Sequence, residues 1–454
     1  MSSKEQVGKL EEQEAKRKEK LWTKDFVLLG LSCLFLFLAF EMLLPALPLY
    51  VAQIGGSTSE IGIVMGCFTL TAVLIRPVSG YAADTYGKKL LLIIGGVLCL
   101  VATGFYYAAI SVTGLLIIRL LHGFGFGIAT TLYGTMASDM VPPSRMGEGM
   151  GYFGLANTIA ISIGPFFGVI IMESLGYQTL IMVSGSILSL ACIFNLIVKA
   201  TAHRPASRMP DIAEADSAFT AIAHGAVVIE PAIEHSSEPI QVRELDSKAP
   251  EQAMLSSQLK DKTAISWSSR LVERKALFPS LLGMMAGFGF GGILSFITLF
   301  GKEVGIANIG YFFLVVSLFE VLVRLVSGRI FDTKGPFWVI FPSAILTCIA
   351  TIILSYAGSM VTMLVAAAFF GLGFGAMFPA LQAWVITRVD PESRGSATAT
   401  FYNLFDIGIA SGAILLGIIA GMTGYGMMFR LSSLTYVVLI AMYMVYEFRA
   451  QKAS

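Results

Sequence analysis

Charge is scarce in this chain. Asp, Glu, Lys and Arg together make up 13% of its 454 residues, and acids and bases nearly cancel to a formal net charge of +1. Soluble domains carry about 25% charged residues. The basic residues are scattered among short loops and form no stripe, which argues against nucleic acid as a partner. Histidine is scarcer still: the chain has 4, and His203, His224 and His235 stand too far apart in sequence for a metal site. Cys33, Cys67, Cys99, Cys192 and Cys348 each fall singly inside an apolar run with no CxxC spacing. They read as buried packing thiols, not as a disulfide framework or a metal clamp. No Ser/His/Asp or metal constellation points to an enzyme, and no organic or metal cofactor is implied.

What the chain does have is apolar length: 56% hydrophobic residues, with 46 glycines and 32 phenylalanines. Stretches long enough to cross about 30 Å of hydrocarbon lie near 25–51, 59–82, 89–110, 114–138, 149–173 and 178–199, then near 276–300, 307–330, 337–357, 360–386, 397–422 and 428–448. The expected fold is therefore all-α and membrane-integral, with twelve transmembrane helices embedded in a lipid bilayer. The domain plan is a tail at 1–24, a six-helix bundle at 25–199, a linker at 200–275, a second bundle at 276–448 and a tail at 449–454. The linker carries prolines, serines and charges of both signs, a composition expected to be mostly disordered. The polar N-terminus precedes an apolar run with no small-residue cleavage site, unlike a signal peptide. An even number of spans puts both termini on one side. Lys88, Lys89, Arg145, Lys334, Arg388, Arg394, Arg449 and Lys452 share that side, whereas the opposite loops offer Lys302 and Arg430. The positive-inside rule makes it the cytoplasm.

The chain repeats itself. RPVSGYAADTYGKK at 76–89 returns as RLVSGRIFDTKG at 324–335, each shared letter 248 residues on. The same offset relates GFGFG at 123–127 to GLGFG at 371–375, and Gly176-Tyr177 to Gly424-Tyr425. Because the repeat spans six helices, both halves have the same orientation. Parallel six-helix repeats are an architecture of secondary transporters.

The stretch GYAADTYGKK, with Gly80, Asp84, Gly87, Lys88 and Lys89, resembles the signature between helices 2 and 3 of the major facilitator superfamily. Its second copy keeps Gly328, Asp332 and Gly335, with Pro336 and Phe337 in place of the basic pair. The resemblance implies two parallel six-helix repeats in the major facilitator fold, and a cytoplasmic gate at these turns that latches the halves together. Arg119 opens RLLHGFGFG, with Gly123 and Gly127 one and two turns further along the helix face; this resembles the helix 4 signature of drug:proton antiporters, where the arginine is implicated in proton handling. SIGPFFG at 162–168 is similar to the Gly-Pro signature of antiporters, with Gly164, Pro165 and Gly168 in place and Val169 where a further glycine is usual. Glycine and proline there would bend helix 5 and pack it at the interface between the halves.

Carboxylates inside the bilayer are functional candidates by default. Glu41, in FEMLLPALP, resembles the acidic position followed by a proline in helix 1 of drug:proton antiporters; Asp406, in FYNLFDIG, lies on helix 11. Glu320 precedes Arg324 by one turn, so an ion pair within the helix accounts for it. A carboxyl group withdrawn from water keeps its proton to higher pH, as a proton carrier requires. The repeat ranks these residues, because scaffold should survive in both copies while chemistry breaks the symmetry. Arg119 corresponds to Ala367, Glu320 to Ala72, Asp406 to Asn157 or Thr158 and Glu41 to Gly289, whereas Arg76 and Arg324 agree and read as architecture. Phe124, Phe126, Tyr133, Phe370 and Phe374 are candidates for either a pocket lining or ordinary packing.

The expected function is proton-coupled export of a small organic compound by alternating access, in a bacterial plasma membrane and as a monomer. Glu41 would exchange protons with the substrate, with Asp406 sharing the task and Arg119 tuning it. The alternatives are an uptake symporter or facilitator on the same scaffold, and a non-transporting sensor acting through the linker.

Overall fold

The computed structural model describes residues 21–142, 145–199, 274–390 and 393–453. Nearly all of the linker, residues 1–20 of the tail and the side chain of Asp84 lie outside the described set. Helices α1 (Lys24–Gln53), α2 (Thr58–Tyr86), α3 (Lys88–Tyr106), α4 (Val112–Met140), α5 (Met146–Leu175) and α6 (Tyr177–Ile197) form the first half. The second comprises α7 (Leu277–Glu303), α8 (Gly310–Lys334), α9 (Phe337–Ser355), α10 (Met360–Thr387), α11 (Arg394–Thr423) and α12 (Tyr425–Ala453). All twelve are long and apolar enough to cross a membrane. Hydrocarbon offers no partner for a bare peptide group, so each crossing closes its own hydrogen bonds as a helix.

Local chemistry sets the ends. Ser57 caps α2 in a reciprocal box with Glu60: the Glu60 amide donates to Ser57 Oγ at 3.3 Å and Glu60 Oε2 accepts from the Ser57 amide at 2.8 Å. Gly87 and Gly335 break the chain between α2 and α3 and between α8 and α9 with φ of +93° and +88°, a region that penalises any Cβ.

The sequence repeat is a packing repeat. A methyl group placed on Gly123 would lie 2.5 Å from the Phe68 carbonyl, and Gly127 meets Ala72, so α4 lies directly on the α2 backbone. At the same offset, Gly371 faces the Val316 carbonyl and Gly375 faces Glu320, which sets α10 on α8. Small residues allow this approach where hydrophobic burial supplies no drive between helices. Helix α3 packs on α4 and α6 and helix α9 on α10 and α12, within their own halves. Contact between halves comes from α2 with α11, α5 with α8 and α1 with α7.

Those contacts concentrate away from the chain termini. A methyl on Gly66 would sit 2.8 Å from the Ala410 carbonyl, and one on Gly310 would sit 3.2 Å from the Phe166 carbonyl. Two hydrogen bonds reinforce this side, Thr298 Oγ1 to the Pro45 carbonyl and Ser317 Oγ to the Ser162 carbonyl, each 3.0 Å. Toward the terminal side the helices part. Gly80, Gly151, Gly154 and Gly328 have nothing within 4 Å of a would-be Cβ, and Leu74, Val78, Leu325 and Val326 are exposed. The close contacts between the halves thus lie on the side of the α1–α2 and α7–α8 turns.

Candidate functional site

Where the halves meet, a cavity of about 140 Å³ opens between α1 and α5 on one wall and α7, α8, α10 and α11 on the other. Glu41 lines it from α1 and Glu320 from α8. The far wall is phenylalanine: Phe374 stacks on Phe290 at 4.5 Å and on Phe370 at 5.2 Å, and Phe405 sits 4.7 Å from Phe378. Of the aromatic candidates, Phe370 and Phe374 reach this cavity. Phe126 and Tyr133 pack inside the first half and Phe124 is exposed on its outside. Phe290, Phe378 and Phe405 escaped the sequence reading because a phenylalanine in an apolar helix carries no mark of the face it occupies.

Glu41 is 9% exposed, and among the described residues no donor or cation engages its carboxylate. Its position is set by Gly164, where a methyl group would lie 2.6 Å from Glu41 Cβ. Gly168 likewise lies against the backbone of Met42. The SIGPFFG glycines pack α5 on α1 inside the first half. The opposite face of α5, through Ser162 and Phe166, meets α8. Substituting Gly164→Ala should drive α1 off α5 at Glu41, costing about 1–3 kcal/mol. Thermal unfolding in detergent should show the loss, and transport should fall with it.

The other two acids are occupied. Asp406 is bound by Arg76, an ion pair from α2 to α11 that joins the halves, with side chains 16% and 25% exposed. Glu320 is held by Arg324 one turn along α8, as its spacing suggested. Pseudo-equivalent arginines thus serve differently, one bridging the halves and one staying on its own helix. The bridge was hidden in the sequence because its partners lie 330 residues apart.

Arg119 is 1% exposed and lies inside the first half, not on the cavity. Its guanidinium sits 5.0 Å over the Phe68 ring and Nη2 donates to Met65 Sδ at 3.1 Å, with the Tyr106 hydroxyl close by. His122 is hydrogen-bonded to the Tyr106 hydroxyl at 3.3 Å. Phe68, under the Arg119 guanidinium, stacks on Phe40, the chain neighbour of Glu41, at 4.7 Å.

Lys88 pairs with Asp139 at 2.6 Å, and Lys89 donates to the Leu196 carbonyl at 3.0 Å, both within the first half. Gly80 and Gly328 face open space and Asp332 is exposed. Among the described residues, none of this set bridges the halves in this conformation. Among the described residues there is also no cluster of His, Cys, Asp and Glu able to hold a metal ion.

Comparison with known proteins agrees with this architecture. The model of the Major Facilitator Superfamily matches residues 29–413 and again 279–454. A multi-drug resistance efflux pump PmrA homolog of Lactococcus lactis is 22% identical over 415 residues, covering 89% of this chain and 90% of that protein. The multidrug resistance protein MdtG of Escherichia coli is 22% identical over 426 residues, with 91% of each chain covered. Among solved structures, the nucleoside transporter NupG superposes with a TM-score of 0.66 at 15% identity, covering 93% of this chain and 99% of that one. A POT family transporter reaches 0.68 at 12% identity, covering 93% and 96%. With the family model spanning both halves, this chain belongs to the major facilitator superfamily, as a multi-pass membrane transporter and not an enzyme.

Proposed function

We propose that this transporter exports a small organic compound in exchange for protons, from a cytoplasm that holds both termini, with one chain as the working unit. The observation that carries the reading is the unpaired carboxylate of Glu41 in a cavity otherwise walled by phenylalanine. Asp406 and Glu320 each hold an arginine, so each already has a partner on the protein. Glu41 is the acid free to alternate between a proton and a cargo. Relatives named as multidrug efflux pumps over about nine-tenths of the chain support the outward direction.

On this reading the cavity is reached from the side of the chain termini while the far-side contacts hold. Cargo entering there displaces the proton of Glu41 and takes over neutralisation of its charge. The far-side contacts of α2 with α11 and of α5 with α8 then yield, and the open glycines Gly80, Gly151, Gly154 and Gly328 become the closing surface on the terminal side. The turns at 80–89 and 328–335 engage at that stage. Once the cargo has left, protonation of Glu41 removes the cost of a bare buried charge and permits the return.

Transport in inverted vesicles loaded by an imposed pH gradient tests the reading, with a panel of cationic dyes and antibiotics. Accumulation that requires the gradient and collapses when it is discharged is the expected result. Movement down the compound's own gradient regardless of pH would make the protein a facilitator; co-directional movement of proton and compound would make it an uptake symporter.

A further inference from the structure

Once Glu41 has given up its proton, the polar groups lining its cavity accept hydrogen bonds and offer none. Beside Glu41, the lining holds two polar side chains, Ser317 and Glu320, and is otherwise apolar. Ser317 commits its hydroxyl proton to the Ser162 carbonyl at 3.0 Å, which leaves lone pairs facing the cavity. Glu320 is a carboxylate held by Arg324. A further acceptor comes from the main chain. Pro165 has no N–H, so the Ile161 carbonyl one turn earlier is deprived of its usual donor. Ile161 and Pro165 both line the cavity, and a helical carbonyl points along the axis toward the residue four positions on, so the Ile161 oxygen is expected on that face of α5.

We infer that this wall selects cargo by its N–H groups: the substrate class is an aromatic amine, amidine or guanidine, charged and carrying several N–H donors, and a quaternary ammonium of equal charge is discriminated against. The inference rests on the export reading above and adds what the cationic end must look like. The opposite wall of Phe290, Phe374 and Phe405 takes the ring system. In the empty cavity, water supplies donors to these acceptors. A cargo that expels the water must replace its hydrogen bonds or leave the acceptors bare. Trimethylation leaves the charge facing Glu41 intact but removes every donor, and sites built on hydrogen bonds reject such analogues more strongly than sites built on shape.

The test uses the purified full chain in detergent and two monocations, 1-naphthylmethylammonium and its N,N,N-trimethyl counterpart, with binding followed by calorimetry. The primary ammonium should bind about tenfold tighter or better, the equivalent of one or more unsatisfied acceptors. In Pro165→Ala the restored N–H occupies the Ile161 carbonyl, and the ratio should shrink several-fold; in Glu41→Gln both compounds should weaken. Equal binding of the two in the wild type, or a ratio unmoved by Pro165→Ala, overturns the inference. Should Pro165→Ala fail to fold, stepwise methylation on the wild-type protein decides: affinity falling at each step supports N–H selection, and a flat or rising series overturns it. Equal binding that still depends on Glu41 removes the N–H requirement and leaves the export reading standing. Binding of neither compound overturns the inference and leaves the export reading to the vesicle assay.

Discussion

Glu41→Gln should leave the protein folded and unable to couple proton movement to transport. The substitution keeps the shape of the side chain while fixing it neutral. Cargo affinity in the wild type should rise with pH, by about tenfold per unit while Glu41 loses its proton and not beyond, because proton and cargo compete for one carboxylate. In the variant the affinity should be flat with pH and about 10- to 100-fold lower than the wild-type plateau, the worth of one charged hydrogen bond in a dry site. Binding titrations at several pH values check both statements. A variant that keeps the wild-type slope would place the titrating group elsewhere.

The second large effect concerns the bridge between the halves. Asp406→Ala strands the Arg76 guanidinium at the partly buried seam of α2 and α11. An ion pair broken from one side costs far more than one removed whole, so the single variant should lose about 2–3 kcal/mol. The double variant Arg76→Met with Asp406→Leu should recover most of it, which a double-mutant cycle on unfolding in detergent reads out. Proton coupling should survive in the double variant, since Glu41 is untouched. Loss of coupling there would move the proton to Asp406; a single variant as stable as wild type would mean that the pair does not brace this conformation.

Much of the fold was legible in the residues. Apolar runs delimited all twelve helices to within a few positions, because in hydrocarbon the hydrogen-bonding requirement outweighs local propensity. The constant offset between GFGFG and GLGFG foretold that Gly123 meets Phe68 as Gly371 meets Val316. Facing, by contrast, was poorly legible. The helices are apolar almost all round, so periodicity marks no inner side, and the phenylalanines that wall the cavity look like those that meet lipid. Gly164 and Gly168 show the same limit, since a small residue announces close approach without naming the neighbour, here Glu41 and Met42 of α1. Asp406 drew notice as a lone acid, but its arginine belongs to the other half. Glu320 was readable because its partner is four residues away on the same helix.

The most direct measurement counts protons. Saturating cargo is added to the purified protein in weakly buffered detergent, and the release is titrated at a pH where Glu41 is protonated in the free protein. About one proton should be released per cargo bound in the wild type, and none in Glu41→Gln when enough cargo is supplied to fill the weaker site. Release that persists in the variant, or wild-type binding that releases no proton at any pH, would contradict competition between proton and cargo for Glu41.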